Sequence, residues 1–411
     1  LITDDYADYF GWQQISDRIR FHTISPRGYA AATDEHYDIV ITGLPGSSSG
    51  GAAGVHELAT SYDLTVEALQ RYLDLLKPGG LLSITLWTST PPRENLRLFA
   101  TVVEALRRNG IEHPEKNIAW VRSWNTATLV IKNGALSKSD TQRVRDFATA
   151  RAFDLAWLPD ITEDEVNRYQ LLQQPIFFLA AKALLSGNAQ DFIDNYKYNI
   201  ETVSDDNPYF SNSFKWSSLP ELLRISGGGG IAMIGVGYPT LLFTLVQAII
   251  AAVVLILLPL AFIKRDGSST PVRRSSIVVY FVCLGLAFLF IELAFIQKFT
   301  LILSQPLYAV AVTLCAFLIF SGLGSLYVQR KIAAHQLHRI PQLLTRAVAL
   351  IVTITLLYLI TLPYLTDAIM AKSELFRVAT AVLLAAPLAF FMGMPFPLGL
   401  AATRHTNPQL M

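Results

Sequence analysis

Three carboxylates stand where such groups either do chemistry or are costly to keep. Asp205 and Asp206 lie side by side in Ser204-Asp205-Asp206-Asn207-Pro208-Tyr209-Phe210, and Glu292 is the one charge in the apolar run Ile277–Ile296. Carboxyl groups give and take protons in general acid–base catalysis. Adjacent residues face different ways, so the aspartate pair does not form a facing dyad. It reads either as turn and capping chemistry, in keeping with the Asn-Pro that follows, or as two carboxylates reaching the mouth of a sheet. A carboxylate inside a membrane span defaults to a functional reading, and the competing one is that Glu292 is neutral or locally paired and holds helices together. Candidate catalytic residues are therefore Asp205, Asp206 and Glu292. Candidate cofactor contacts are Pro45, Gly46 and Ser47, which open the loop Pro45-Gly46-Ser47-Ser48-Ser49-Gly50-Gly51. That loop follows a strand, where open α/β sheets bind ligands, and its amides and serines suit an anion. No Gly-Lys-Ser/Thr follows to make a P-loop, and a Gly/Ser run serves equally as a connector. No metal site is expected. The seven histidines form no His-Glu-x-x-His; His335 and His338, three apart in a basic loop, come nearest. Cys283 and Cys315 both lie in apolar runs and read as small apolar filler.

These residues need a frame. The 411-residue chain is 52% hydrophobic and 16% charged, between the soluble and the all-membrane classes. The average conceals two halves. Residues 231–411 hold 12 Lys+Arg against 4 Asp+Glu, whereas residues 1–230 hold 21 against 28. An acidic front half argues against nucleic acid as a partner. The front alternates in type: a strand over Ile19–Ile24, a helix over Pro26–Ala32, an apolar strand over Tyr37–Leu44 suited to the centre of a parallel sheet, and an amphipathic helix over Thr65–Leu76 stopped by Lys77-Pro78-Gly79-Gly80. A strand over Leu81–Trp87, a helix over Glu94–Arg108 and a hairpin of Ile118–Trp124 with Thr126–Lys132 follow. Alternating βα units predict a doubly wound, Rossmann-like α/β domain. Helices over Ser139–Ala152, Thr162–Leu172, Pro175–Leu185 and Ala189–Tyr196 predict a helical cap. Residues 1–135 then form a partial α/β domain, 136–203 the cap, 204–230 an interfacial collar and linker, and 231–411 a membrane domain. The collar carries Tyr209, Phe210, Phe214 and Trp216 beside Lys215, the residue types of a membrane–water interface.

Uncharged runs at Ile231–Ile263, Phe299–Gln329, Ala347–Thr366 and Val378–Thr403, with Ile277–Ile296, predict an all-α transmembrane domain of about five spans in a lipid bilayer. Met394-Pro395-Phe396-Pro397-Leu398-Gly399 should break the last one. Loop 264–276 carries Lys264, Arg265, Arg273 and Arg274 against Asp266. Loop 330–346 carries Arg330, Lys331, Arg339 and Arg346. Their basic charge places both in the cytoplasm. A single crossing by 231–263 would then put the front domain outside. The chain starts at Leu1 with no signal-type leader and reads as a fragment.

Several segments together resemble one family. They are Tyr62-Asp63-Leu64-Thr65-Val66-Glu67-Ala68, Pro78-Gly79-Gly80, Arg122-Ser123-Trp124-Asn125-Thr126, Asp205-Asp206-Asn207-Pro208-Tyr209-Phe210, Ile291-Glu292-Leu293-Ala294-Phe295-Ile296-Gln297 and Met392-Gly393-Met394-Pro395-Phe396-Pro397. The chain resembles spermidine-synthase-like proteins of the class I S-adenosylmethionine-dependent methyltransferase superfamily that are fused to membrane segments. The front half is similar to the second half of that fold. The resemblance implies a membrane-bound transferase moving a methyl or aminopropyl group from S-adenosylmethionine or its decarboxylated form. The acceptor would be an amine or a lipid-phase small molecule, and the setting a bacterial inner or plasma membrane. The chain departs from the pattern in four places. No Gly-rich loop precedes Ile19, Asp4, Asp5 and Asp8 are poor matches for the acid expected after the second strand, Leu44-Pro45-Gly46 stands where a catalytic aspartate is expected, and Ile24-Ser25-Pro26-Arg27 stands where an adenine-contacting one is expected. Two readings of another class stay open: a non-catalytic Rossmann-like binding domain on a membrane scaffold, and a transporter-like protein using Glu292 and the Met-Pro-Phe-Pro break. A domain using this cofactor belongs inside the cell, so its side of the membrane stays open too.

Overall fold

A computed structural model describes residues 19–22, 24–43, 59–220, 237–257, 274–333 and 340–406. The chain divides into two compact units, residues 34–267 and residues 1–33 with 268–411.

The first unit is built on a five-stranded mixed sheet of order β1-β2-β4-β3-β5. Its strands are β1 (Tyr37–Thr42), β2 (Leu76–Trp87), β3 (Ile118–Arg122), β4 (Thr126–Lys132) and β5 (Asp154–Trp157). Among the described strands only β1 and β2 pair in parallel; β4 slots antiparallel between β2 and β3, and β5 joins β3 antiparallel. Alternation fixes the faces. Leu82, Ile84 and Leu86 of β2 lie opposite Ile131, Leu129 and Ala127 of β4, and all six are buried. Helices α2 (Val66–Asp74), α3 (Glu94–Arg108) and α5 (Ile176–Leu185) each bury an apolar face. Phe99 of α3 and Phe177 of α5 meet the fully buried Trp120 of β3, with ring centroids 4.9 and 5.2 Å apart. On the opposite face α4 (Lys138–Ala150) packs Val144 and Ala148 with Ala119, Val121, Val130 and Leu155. Helix α6 (Ala189–Asn195) follows α5.

Four expectations need correction. Among the described residues strand β1 stands at the margin of the sheet and not at its centre, and Ile39 and Ile41 are 56% and 71% exposed. An apolar run alone does not separate a central strand from an edge. Helix α2 stops at Asp74, and Lys77-Pro78-Gly79-Gly80 is a kink inside β2, where pairing jumps from Tyr37–Leu76 to Ile39–Leu81. Gly79 has φ +81°, and a Cβ on Gly80 would lie 2.9 Å from the Lys77 carbonyl oxygen, so the kink requires both glycines. The segment 136–203 is no purely helical cap. It supplies β5, and the helix expected over Thr162–Leu172 is a single 3-10 turn, Glu163–Glu165, with irregular chain after it. The collar is corrected as well: Phe210 is buried in this unit, and the Lys215 ammonium donates to the Ile193, Asp194 and Tyr196 carbonyls at the end of α6 (2.6, 3.0 and 3.1 Å). Lys215 closes a helix C-terminus, where cations are favoured.

Helix α7 (Gly237–Ala252), with a short π-helical extension to Leu257, is apolar and exposed from Phe243 to Leu255.

In the second unit residues 19–22 and 24 form no strand. Helix α1 (Pro26–Ala32), capped by Ser25, belongs to this unit and not to the α/β domain: the Ser25 hydroxyl donates to the Ser304 hydroxyl (2.8 Å). The other helices are α8 (Arg274–Leu303), α9 (Pro306–Ala333), α10 (Ile340–Met370), α11 (Glu374–Met392) and α12 (Pro395–Thr406). Four helical stretches among the described residues are long and apolar enough to cross a membrane: Ser276–Leu303, Pro306–Lys331, Ile340–Met370 and Glu374–Ala402. The chain is thus membrane-spanning in character. The remaining run contributes only the shorter apolar stretch Leu241–Leu255. Helices α9 and α11 approach closely. A Cβ on Gly324 would run into the Phe390 carbonyl oxygen, and one on Gly393 into that of Ser321. Small residues bring membrane helices together in this way. The last span breaks at Gly393–Met394; Pro395 and Pro397 then fall in the first turn of α12, where no helical donor is needed.

Candidate functional site

The Asp205–Asp206 segment is a brace across α2 and α3. Thr65 caps α2, its hydroxyl accepting from the Ala68 amide (3.2 Å) and donating to Asp205 Oδ1 (2.7 Å). The Asp205 amide donates to Glu67 Oε2 (2.9 Å), and the Val66 amide to the Val203 carbonyl (2.8 Å). On the other side Arg97 of α3, buried, donates through Nη1 to the Tyr209 and Phe210 carbonyls (2.8 and 2.7 Å). Burial pushes the Arg97 guanidinium down to about 10, against the opposing pull of Glu201 and Glu94. Burial, with Asp205, Tyr209 and Asp206 nearby, holds the Tyr62 phenol above its ordinary range. Asp206 is exposed, and the Asn207 amide closes a turn on the Ser204 carbonyl (2.9 Å). Asp205 is thus tied to the capped start of α2, and Asp206 stands in the turn that follows.

Pro45, Gly46 and Ser47 lie outside the described residues, as do His335 and His338. Aromatic side chains stand at the described carboxyl end of β2. Trp87 ends β2, and Trp124, 80% exposed, tips the β3–β4 hairpin. The Thr88 amide donates to the Asn125 carbonyl (2.7 Å), and Asn95 to the Trp87 carbonyl (2.8 Å). The Tyr196 phenol donates to the Pro92 carbonyl (2.7 Å), and burial raises it above the ordinary phenol range. A separate cleft of about 460 Å³ runs between α3, α5 and α6. Its floor includes Val103, Leu184 and Ile193, and its rim Glu104, Arg107 and Glu201.

The shortest and most buried ion pair among the described residues of the α/β unit has no local signal in the sequence. Arg122 Nη2 donates to Asp154 Oδ2 (2.6 Å), both side chains buried, and also to the Gln170 carbonyl. Asp154 accepts in addition from the amides of Arg168, Tyr169 and Gln170 (2.7, 2.8 and 2.8 Å). The Arg122 guanidinium lies 5.2 Å from the Phe177 ring centre. The carboxylate draws these amides out of any helical ladder, which explains why 162–172 is not a helix. Arg122 belongs to the Arg-Ser-Trp-Asn-Thr segment singled out in the sequence, but Asp154 lies 32 positions away, and no local spacing links them.

Glu292 lies in the membrane-spanning unit, apart from the unit that holds Asp205 and Asp206. It is half-buried on α8, with no hydrogen bond or ion pair among the described residues. The structure does not join it to the Met-Pro-Phe-Pro break. The break packs on Tyr280, whose hydroxyl donates to the Pro395 carbonyl (2.8 Å), and twelve helical residues put Glu292 about 18 Å further along α8. Met394 and Leu398 are buried with Val328 and Ile340, at the end where α9 finishes and α10 begins. Among the described residues no group of three or more His, Cys, Asp or Glu side chains is placed to hold a metal ion. Comparison with known protein families, with curated proteins and with solved structures finds no match.

Proposed function

We propose that the chain is a membrane-anchored protein whose methyltransferase-like α/β domain serves binding and assembly rather than group transfer. The observation that carries this reading is the use made of the motif carboxylate. Asp205 takes the Thr65 hydroxyl at 2.7 Å while its amide is held by Glu67, so it locks the chain onto α2 instead of facing a ligand. A general base must lie within reach of the proton it removes. A second reading has one observation in its favour. The hairpin places β4 antiparallel between β2 and β3, the arrangement that resemblance to the second half of the methyltransferase fold calls for. On that reading the domain is a spermidine-synthase-like transferase using an S-adenosylmethionine-type donor. Calorimetry on the full chain in detergent, with S-adenosylmethionine and then its decarboxylated form, separates the two. No heat of binding at about 1 mM ligand, a free energy near −4 kcal/mol, supports the binding-module reading. Saturable binding refutes it in favour of the transferase.

A further inference from the structure

The membrane unit contains a polar locus that the α/β reading does not use. Helices α8 and α9 are joined by two residues, Ser304 and Gln305, and run antiparallel. The end of α9 packs against the start of α10 through Val328, Ile340 and Ala347, so α8 and α10 run the same way. Their relative depth is fixed by Phe295 and Tyr358, whose ring centres are 6.0 Å apart. Glu292 and Thr355 each lie three residues before one of these rings, about 4.5 Å along its helix. They therefore occupy the same depth on neighbouring helices, close to the middle of the span Ser276–Leu303. Neither is satisfied: Glu292 has no partner among the described residues, and the Thr355 hydroxyl oxygen is buried with no hydrogen bond. At the same level the Tyr358 hydroxyl donates to the Leu384 carbonyl (2.7 Å) on α11. Pro387 has no N–H to offer the Leu383 carbonyl, which leaves that one oxygen without its helical donor.

The charge inventory around Glu292 is one-sided. The facing stretches of α9 (306–329), α10 (347–366) and α11 and α12 (378–403) contain no Lys, Arg, Asp or Glu. Tyr358 is the titratable side chain at this level on the packed helices, and its hydroxyl is committed to Leu384. On α8 itself the next charge is Lys298, about 9 Å further along. An ionised carboxylate at mid-membrane is costly without a partner, and the described helices place no Lys or Arg at its level. We propose that Glu292 and Thr355, with the Leu383 carbonyl that Pro387 leaves without a donor, form a binding site for one monovalent cation at mid-depth of the membrane bundle. The cation is a proton or a sodium ion. The proposal uses the membrane unit alone and stands or falls independently of the α/β domain.

The test is labelling of the full chain in liposomes with dicyclohexylcarbodiimide, which reacts with protonated carboxyls in apolar surroundings. Modified residues are located by peptide mass spectrometry between about pH 5 and about pH 9. The expected result is modification at Glu292 that falls as pH rises and disappears in Glu292→Gln. Protection by sodium at constant pH assigns the sodium ion; indifference to sodium with a preserved pH profile assigns the proton. Thr355→Val, which keeps the shape and removes the hydroxyl, should move the labelling midpoint by about one pH unit. A purely structural Glu292 would leave that midpoint where it is. No labelling of the wild-type chain at any pH, or a midpoint unmoved by Thr355→Val, overturns the site.

Discussion

Removing the Asp154 carboxylate tests the account of the α/β unit most severely. Asp154→Ala deletes four hydrogen bonds, one from the Arg122 guanidinium and three from the amides of residues 168–170. The two groups of donors fare differently. Residues 168 and 169 are exposed, so water can replace most of what their amides lose. Arg122 is buried to 6% exposure and cannot recover its solvent without opening the contact between β3, β5 and α5. The cost is therefore dominated by an uncompensated buried cation, about 3–5 kcal/mol. For a unit of this size that lowers the midpoint of unfolding by roughly 6–20 °C. Replacing both partners, Arg122→Met with Asp154→Leu, should bring stability back to within about 1 kcal/mol of wild type, because no charge is left stranded. Pulse proteolysis of the full chain in urea gives the free energies, and hydrogen exchange at residues 168–170 reports the loop. The reasoning fails if Asp154→Ala costs less than about 1 kcal/mol, or if the double variant is no better than the worse single one.

Other consequences are equally direct. Thr65→Val removes the α2 cap and the Asp205 contact and should cost about 1–3 kcal/mol in urea denaturation; a neutral result would return Asp205 to candidacy as a ligand-facing group. Gly324→Ala and Gly393→Ala each drive a methyl group into a facing carbonyl. Each should cost about 1–3 kcal/mol, read as a shorter half-life in detergent at fixed temperature. Tyr62 keeps its proton in the folded state above the pH at which an unfolded tyrosine loses it. The stability it contributes is complete below about pH 10 and declines as pH rises beyond that. Tyr62→Phe should flatten the alkaline limb of the stability profile. Asp140 behaves in the opposite sense. Hydrogen bonds from Lys132 and then Ser137 hold its carboxyl below the ordinary carboxylate range, so its contribution is present above about pH 4 and lost on acidification, a slope that Lys132→Met should reduce and the Ser137 hydrogen bonds should keep in part.

Much of the local structure could be read directly from the residues. Helices α1 and α3 span the residues expected, because Ser25-Pro26 and the Arg107-Arg108-Asn109-Gly110 end are local signals. The β3–β4 hairpin is local too, whereas of the break expected over Met394–Gly399 only Met394, with Gly393 before it, leaves the helix. The failures share one cause, since each depends on a partner remote in sequence. Helix α1 has the pattern of a crossover helix but docks through Ser25 on Ser304. Strand β5 was missed because Asp154-Leu155-Ala156-Trp157 is short and follows a helix directly; only pairing with β3 makes it a strand. Of the candidate site, residue types were legible and roles were not. Asp205 could be picked out, but Thr65 as its partner lies 140 positions away.

The sequence by itself determined that a mixed α/β half precedes a membrane-spanning half, since hydrophobic period and uncharged run length are properties of consecutive residues. Only the tertiary structure decided which strand stands at the margin of the described sheet, which carboxylates are absorbed by the fold and which is left unsatisfied. Burial and hydrogen bonding are settled by neighbours that folding brings together. Asp205 finds Thr65 and Asp154 finds Arg122, whereas Glu292 lies level with an equally unsatisfied Thr355.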